Sequence, residues 1–151
     1  MPQSLSKLLI HIIFSTKNRV PFLSDRNIRH EMHSYLGGAC NKLGCPVITV
    51  GGIADHVHIL CHLSRNLSVS TLVREIKRES SKWVKTKGKM LIKFAWQNGY
   101  GVFSVGQTEI KRVKEYITRQ EEHHKSRTFQ DVYLEFLKSH KIKYDEQYLW
   151  D

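Results

Sequence analysis

The fold is decided by residues 47–63, which read VITVGGIADHVHILCHL. Two β-branched, apolar runs flank Gly51 and Gly52, and a glycine pair supplies the positive φ angles that a tight hairpin needs. The stretch therefore predicts two antiparallel strands, of which the second extends from Ile53 to Leu63. Side chains of a strand alternate between its two faces. In the second strand one face is apolar (Val57, Ile59, Cys61 and Leu63) and the other carries three histidines (His56, His58 and His62).

The elements around this hairpin follow from hydrophobic periodicity. Residues 8–14 are β-branched and aromatic, which predicts a first strand leading into a basic loop at residues 15–19. Apolar spacing of three and four predicts a helix over about residues 25–43, with Ser24 as its N-cap. The same spacing predicts a long, basic helix over residues 68–87. One helix therefore follows the first strand and another follows the hairpin.

The C-terminal half continues the alternation. Residues 94–96 and 100–105 predict a short fourth strand, and Thr108 is placed to cap a third helix that runs to about His124. A short terminal helix and an aromatic segment at residues 144–150 are expected to pack back on the body. The order β-α-β-β-α-β with an added C-terminal helix predicts an α+β, ferredoxin-like fold, the split βαβ (RRM-like) arrangement. Its antiparallel sheet has helices on one face, and the third helix is expected near the other, histidine-bearing face.

Composition restricts the class of protein. With 151 residues, 40% hydrophobic and 25% charged, the chain suits one compact domain over residues 1–151, which excludes disordered and disulfide-stapled classes. An odd number of cysteines, three, and no cleavable apolar N-terminal segment predict reduced thiols in a cytoplasm. The longest apolar run, residues 8–14, is too short to span a bilayer. A net charge of +10 and a pI near 9.7 favour polyanionic partners.

The pair His56 and His58 is a candidate metal site. Imidazoles at positions i and i+2 converge in a strand, where two neutral rings can hold a divalent ion and leave positions open for substrate. The spacing alone is weak evidence, since nine histidines in 151 residues give about 0.5 such pairs in a random shuffle. Two half-exposed histidines that bind nothing explain this motif equally well. His11 and His62 face the same side by alternation, and either line the site or pack beneath a helix.

Tyr116 and Gln120 lie one turn apart on the third helix, beside an apolar stripe that includes Ile117. If that helix covers the histidine face, the Gln120 amide oxygen is a third candidate ligand and the Tyr116 phenol can attack a metal-bound phosphate. The alternative is an ordinary tyrosine at the edge of an amphipathic helix, because a Y-x-x-x-Q pair arises about 0.2 times by chance. The conjunction with the histidines, in this order, supports a nucleophile beside a Lewis acid.

These motifs occur in the order found in a known family. The chain resembles the single-tyrosine (Y1) HUH transposases of the IS200/IS605 type and their REP-associated relatives along nearly its whole length. The most specific part is the block at residues 96–104 followed by the Tyr116 helix. The matching segments are the first strand with residues 15–19, then residues 55–60, 77–81, 94–105 and 116–120.

The resemblance implies a transposase that acts on single-stranded DNA. His56 and His58 would be the HUH metal ligands, Gln120 the third ligand and Tyr116 the nucleophile, with Mg²⁺ or Mn²⁺ as cofactor. Tyrosine attack would leave a 3′-hydroxyl and a 5′-phosphotyrosine, so that strand transfer needs no nucleotide cofactor. Members recognise hairpins in single-stranded DNA and act as homodimers, in which the tyrosine helix can serve the histidines of the partner subunit. The expected location is the cytoplasm of a bacterium or archaeon, associated with DNA.

Basic residues supply candidate DNA contacts. A solvated basic helix face is the usual alternative for such residues. The net charge favours phosphate contact for some of them without selecting any one. On the loop after the first strand and on the long helix they are Lys17, Arg19, Arg74, Lys77, Arg78, Lys82 and Lys85.

Three alternatives fit parts of the sequence. A related HUH enzyme that nicks plasmid or phage DNA for replication would have the same site and a different substrate. A non-catalytic, RRM-like nucleic-acid-binding module would use the aromatic residues at 98–105, although these lie in the fourth strand and lack the leading basic residue of RNP1. A structural zinc site at Cys40 and Cys45 is the third, although Cys40 falls inside the first predicted helix.

Overall fold

A computed structural model describes residues 2–151 as a four-stranded antiparallel sheet with helices on both faces. The strand order is β2-β3-β1-β4, which confirms the ferredoxin-like α+β prediction. In the described part of the chain, none of the helices has the length and apolar character that crossing a membrane requires. The strands are β1 (Leu9–Ser15), β2 (Val47–Ile53), β3 (His56–His62) and β4 (Gly101–Val105). The helices are α1 (Arg26–Lys42), α2 (Val69–Val84), α3 (Ile110–Thr118), α4 (Gln120–His123), α5 (Phe129–Ser139) and α6 (Glu146–Leu149).

The strand register divides the sheet into an apolar face and a histidine face. Ile13 of β1 lies opposite His58, and Ser15 lies opposite His56. Directly opposed residues point to the same side of an antiparallel sheet, so these four share the histidine face with His11. The apolar face packs under α1 and α2 and buries Ile10, Ile12, Phe14, Val57, Ile59 and Cys61.

Burial on the apolar face supplies most of the core. Ile12 and Phe14 of β1 and Ile59 of β3 are fully buried, together with Leu36 of α1 and Leu72 of α2. Burying one such side chain contributes about 1.5–3 kcal/mol to the free energy of unfolding. This core anchors β1 and β3, and the opposite side of the same two strands carries the histidines.

The histidine face is covered by the C-terminal half of the chain. Helix α3 lies on β2, while α5 packs its Phe129 and Tyr133 against Ile13 and Phe103. The tail returns to this side, where Trp150 packs on the same cluster, as the sequence predicted. The extra C-terminal helix is therefore part of the layer that closes over the histidines.

The hairpin turn differs from the prediction. Gly51 and Gly52 lie inside β2, and the turn is formed by Ala54 and Asp55. Gly52 adopts φ 151°, where a side chain is strained, and a Cβ there would overlap the carbonyl oxygen of His56. Gly51 does not form a turn. Its lack of a side chain lets α3 approach the sheet closely. Glycine thus meets two demands inside the strand, and the chain reversal falls three residues later, at Ala54 and Asp55.

The first helix has a different N-cap from the one predicted. The Asp25 carboxylate accepts a hydrogen bond from the Ile28 amide at 3.0 Å, whereas the Ser24 hydroxyl donates to the Pro21 carbonyl at 2.7 Å. Either residue type is a good cap, and the chain direction after Pro21 decides between them. The long basic helix ends at Val84, and a short 3₁₀ turn (Lys85–Lys87) replaces its predicted last residues.

Three features of the C-terminal half also differ from the prediction. Trp96 makes a single isolated bridge to Thr16, so the fourth strand is confined to β4. Thr108 lies in a 3₁₀ turn (Gln107–Glu109) and does not cap α3. The predicted continuous third helix is interrupted at Arg119, whose φ of −100° and ψ of 20° separate α3 from α4. This break matters because it lies between two predicted site residues.

Candidate active site

His56 and His58 lie side by side on β3, with ring centroids 5.1 Å apart. Both side chains are 0% exposed, which differs from the half-exposed pair expected if the motif had no role. Helices α3 and α4 cover them from above the sheet, and Phe129 of α5 contacts the His56 ring. Buried polar atoms are costly unless they have partners, so each ring nitrogen needs an explanation.

The outer nitrogens of both rings are held by neighbours. His56 Nδ1 lies 2.7 Å from the Asp55 carboxylate, and His58 Nδ1 lies 2.9 Å from His11 Nε2. Within the described residues, His58 Nε2 is buried and has no hydrogen-bond partner. Outer partners of this kind fix the orientation of metal-binding imidazoles. His11, whose role the sequence left open, is thus a neighbour of the pair, while His62 is half-buried at the far end of β3.

The break at Arg119 brings Gln120 to the histidines. Its side chain is buried at 1% exposure, and its Oε1 lies 3.4 Å from His56 Nε2. Its amide nitrogen donates to the Tyr116 carbonyl at 3.1 Å, which orients the oxygen toward the rings. The three predicted ligands therefore meet at one point. Imidazole nitrogens and an amide oxygen form a donor set that suits a divalent ion.

Sequence reasoning missed a further residue at this point, His124. Its Nε2 lies 2.9 Å from Gln120 Oε1, and its Nδ1 donates to the Arg127 carbonyl at 2.6 Å. One ligand atom each from His56, His58 and His124 fall within 4.8 Å of one another. The sequence did contain a signal for His124, namely its spacing. His124 follows Gln120 by four residues, or one helical turn, so the two side chains share a helix face.

Burial favours the uncharged form of His58, His124 and His11. It lowers the pKa of His58 well below the usual 6.5, with the neighbouring His11 as the next cause. It lowers the pKa of His124 to about 4 and that of His11 to about 3. Neutral imidazoles retain a lone pair at neutral pH, which is the form that binds metal ions.

Tyr116 faces a cavity of about 470 Å³ between α3 and α5. Its ring centroid lies 5.7 Å from that of His58 and 5.1 Å from that of His123. Burial raises the pKa of Tyr116, and contact with the Gln120 side chain opposes that shift in part. The phenol therefore holds its proton at neutral pH. His11 and His123 line the same cavity, and His123, whose Nε2 has no hydrogen-bond partner among the described residues, is available as a proton acceptor.

Most of the basic residues selected from the sequence lie at the surface. The Arg19 guanidinium lies 5.8 Å from the Trp150 ring centroid, and Arg78 forms an ion pair with Glu75 at 2.6 Å. Lys17, Arg74, Arg78, Lys82 and Lys85 are exposed.

Lys77 differs from the other basic residues. Its ammonium donates to the carbonyls of Gln97 and Gly99, both at 2.7 Å, and burial lowers its pKa to about 8. It therefore holds the loop before β4 against α2, whatever further contact it makes.

The cysteines do not form a cluster of metal ligands. Cys40, Cys45 and Cys61 are buried free thiols. Among residues 2–151, the histidine cluster is the only group of three or more His, Cys, Asp or Glu side chains with ligand atoms close enough to hold a metal. The alternative of a structural zinc site at Cys40 and Cys45 therefore lacks the ligands it needs.

Comparison with known proteins identifies relatives. Residues 4–120 match the family model described as "Transposase IS200 like". Two transposases for insertion sequence element IS200, from Salmonella typhimurium and Salmonella typhi, are each 29% identical over 121 residues, covering 76% of this chain and 78% of theirs.

Solved structures share the fold. The crystal structure of a protein described as a transposase from Deinococcus radiodurans superposes with a TM-score of 0.62 at 21% identity, covering 80% of this chain and 95% of the other. A REP-associated tyrosine transposase bound to a REP hairpin superposes with a TM-score of 0.60 at 14% identity, covering 83% of this chain and 73% of the other. With the family model matching most of its length, the chain belongs to the IS200-like transposase family.

Proposed function

We propose that this protein cleaves and rejoins single-stranded DNA at hairpin-marked ends, with Tyr116 as nucleophile. The observation that carries the proposal is the approach of α3 and α4 to β3, where Tyr116 and the Gln120 oxygen meet His56 and His58. A phenol beside a cluster of metal-ligating groups suits phosphoryl transfer to tyrosine. Buried histidines without such a partner would have no evident use.

The reaction exchanges one phosphoester for another. The Tyr116 oxygen forms a bond to phosphorus, the bond from phosphorus to the 3′-oxygen breaks, and that oxygen takes up a proton. The products are a 3′-hydroxyl and a 5′-phosphotyrosine. Because the new ester retains the energy of the old one, a second 3′-hydroxyl can reverse the step without ATP. Joining two ends requires two tyrosines, which supports a homodimer as the acting form.

The residues of the site have different roles in this reaction. His56, His58 and Gln120 would hold a divalent ion, Mg²⁺ or Mn²⁺, which supplies charge withdrawal from a non-bridging oxygen of the scissile phosphate. Burial of Tyr116 raises the pKa of its phenol, so its proton must leave during attack, and His123 is a base in the same cavity. Phe136 lines one side of that cavity.

DNA as the substrate is supported by charge and by relatives. The net charge of +10 and the exposed lysines and arginines of α2 favour contact with phosphates. A structural relative has been solved bound to a REP hairpin. The RRM-like alternative is less well supported, because Phe103 of β4 is buried beneath Phe136 and His140 and is not free to stack on a base.

The experiment that tests the proposal is detection of a covalent DNA adduct. Purified protein is incubated with 5′- and 3′-labelled pools of hairpin-bearing single-stranded DNA, with and without Mn²⁺, and resolved on a denaturing protein gel. We expect a metal-dependent adduct with the wild-type protein and none with Tyr116→Phe, which should still fold and bind DNA. His56→Ala should also lose the adduct while retaining DNA binding through the basic surface.

Three outcomes separate the alternatives. An adduct formed by Tyr116→Phe at the wild-type rate would disprove the assigned nucleophile. DNA binding without any adduct across the pool would favour a non-catalytic module. Cleavage of a single site without joining of two ends would indicate a nicking endonuclease for replication.

A further inference from the structure

The hydrogen bonds around the histidine cluster determine where its lone pairs point. His56 Nδ1 lies 2.7 Å from the Asp55 carboxylate, and His124 Nδ1 lies 2.6 Å from the Arg127 carbonyl. Both oxygens accept and neither donates, so each Nδ1 carries the hydrogen. In a neutral imidazole the other nitrogen then has none. When both rings are neutral, the Nε2 atoms of His56 and His124 each direct a lone pair into the cluster.

The Gln120 amide adds a third acceptor. Its nitrogen is committed to the Tyr116 carbonyl at 3.1 Å, which leaves Oε1 facing the two rings. That oxygen lies 2.9 Å from His124 Nε2 and 3.4 Å from His56 Nε2. Two acceptors at hydrogen-bond distance repel unless a cation or a proton lies between them. The arrangement therefore requires a positive charge among these atoms.

His58 contributes the fourth atom. Its Nδ1 is paired with His11 Nε2 at 2.9 Å, and its Nε2 is buried without a partner in the described part of the chain. A buried ring nitrogen without a partner is costly in a folded protein. A cation shared with His56 and His124 would satisfy it, and a single proton between Gln120 and His124 would not.

We propose that His124 is a ligand of the same divalent ion as His56 and His58, so that the site holds three imidazoles and the Gln120 oxygen. Asp55, the Arg127 carbonyl and His11 are its outer partners, one for each ring. The proposal rests on the proposed function for the use of the ion, but not for its binding. It extends the two-histidine motif by a residue placed there by the end of α4.

The composition of this donor set predicts which ions it selects. Imidazole nitrogen binds Mn²⁺, Co²⁺ and Zn²⁺ more readily than Mg²⁺, which prefers oxygen ligands and retains its water. With three imidazoles, affinity is expected to rise from Mg²⁺ through Mn²⁺ to Co²⁺ and Zn²⁺. Removing His124 should reduce the difference in affinity between Mg²⁺ and Zn²⁺, because one nitrogen ligand is lost while the amide oxygen remains.

The test measures metal binding directly, without DNA. Calorimetric titration of the purified full chain with MnCl₂ and with CoCl₂ at pH 7.5 is compared between wild type, His124→Ala and His124→Gln. Mutation of an outer partner of a metal ligand typically costs about 10–100-fold in affinity, so loss of a direct ligand should weaken Mn²⁺ binding by at least about tenfold. His62→Ala is the matched control, since it removes a histidine from the same strand and face outside the cluster and should leave affinity unchanged. Thermal melts show whether each variant is folded.

A second measurement needs no variant. Long-range ¹H–¹⁵N NMR spectra of the wild-type histidines are recorded before and after addition of Zn²⁺. The proposal requires the Nε2 signals of His56, His58 and His124 to shift together at one equivalent. Shifts confined to His56 and His58, or an Nε2 of His124 that carries a proton in the metal-free protein and stays unshifted, would overturn it.

The two proposals fail in different ways. If three histidines bind the ion and no DNA adduct forms, the proposed function is wrong and the metal site stands. If the adduct forms and His124→Ala binds Mn²⁺ as tightly as wild type, the function stands and His124 is not a ligand.

Discussion

Gly51 lies opposite His58 on the histidine face, at the place where α3 rests on the sheet. A Cβ added at this position would overlap the backbone carbonyl of Ile117 and lie 2.8 Å from its Cγ2 atom. Carbon atoms in contact prefer separations of about 3.5–4.0 Å. The Gly51→Ala variant must therefore push α3 away from β2 by about 1 Å.

That displacement should affect stability and chemistry by different amounts. Overpacking of this kind typically costs about 1–3 kcal/mol, so the variant is expected to fold with a lower free energy of unfolding. A shift of about 1 Å between reacting groups can cost about 100-fold in rate. Since Tyr116 precedes Ile117 on the same helix, adduct formation should fall by about that factor. No side chain with a chemical role has been changed.

The assay pairs urea unfolding with the rate of adduct formation on hairpin DNA. Gly38→Ala is the matched control, because Gly38 lies inside α1 with no described atom within 4 Å of the added Cβ. Alanine should there stabilise the helix by up to about 1 kcal/mol and leave the rate unchanged. A Gly51→Ala variant with the wild-type rate and stability would refute the view that close approach at Gly51 positions the tyrosine helix.

Two further predictions concern charged residues away from the cluster. Glu121 of α4 forms ion pairs with Arg26 and Arg29 of α1 at 2.6 and 2.7 Å. The hydrogen bond from the Arg26 guanidinium is the main reason why the pKa of Glu121 lies below its usual 4.5. Glu121→Gln should loosen α4, lowering stability and the adduct rate at pH 7, and its stability difference from wild type should shrink as the pH falls below 4.5 through the lowered pKa of Glu121; urea melts at pH 7 and at a series of pH values below 4.5 check this. Burial lowers the pKa of Lys77 from its usual 10.5 to about 8, so between those values the unfolded chain binds the proton that the folded chain releases. The stability of wild type relative to Lys77→Met should therefore rise between pH 7.5 and 9.5, and a flat or falling difference in urea melts would contradict the assignment.

The alternation in β3 was enough to predict the two faces of the sheet. Strand geometry sends His56 and His58 to one side and Val57 and Ile59 to the other, whatever the tertiary context. One turn of helix likewise relates Tyr116 to Gln120 locally. These parts of the site depend on neighbours in sequence, and the structure brings them together as the pattern indicated.

The glycine pair shows where local reasoning fails. A tight turn and the close approach of a helix both require glycine, and the sequence of Gly51 and Gly52 does not distinguish them. The decision depends on Ile117, which lies more than sixty residues away in the chain. His124 was missed for a similar reason, because the break at Arg119 redirects α4 toward the sheet. Periodicity had predicted one continuous helix instead.

The helices that carry the nucleophile also prepare the ligands. On an exposed sheet face, imidazoles would be solvated and partly protonated near pH 6.5. Once the C-terminal half covers the sheet, burial lowers the pKa of His11 and His58 and leaves their rings neutral. Any change that moves α3 away from the sheet should therefore have two effects at once. It should displace Tyr116, and it should expose the histidines to solvent and raise their pKa values. Metal affinity and adduct formation should then fall in parallel in Gly51→Ala, whereas Tyr116→Phe should lose the adduct alone.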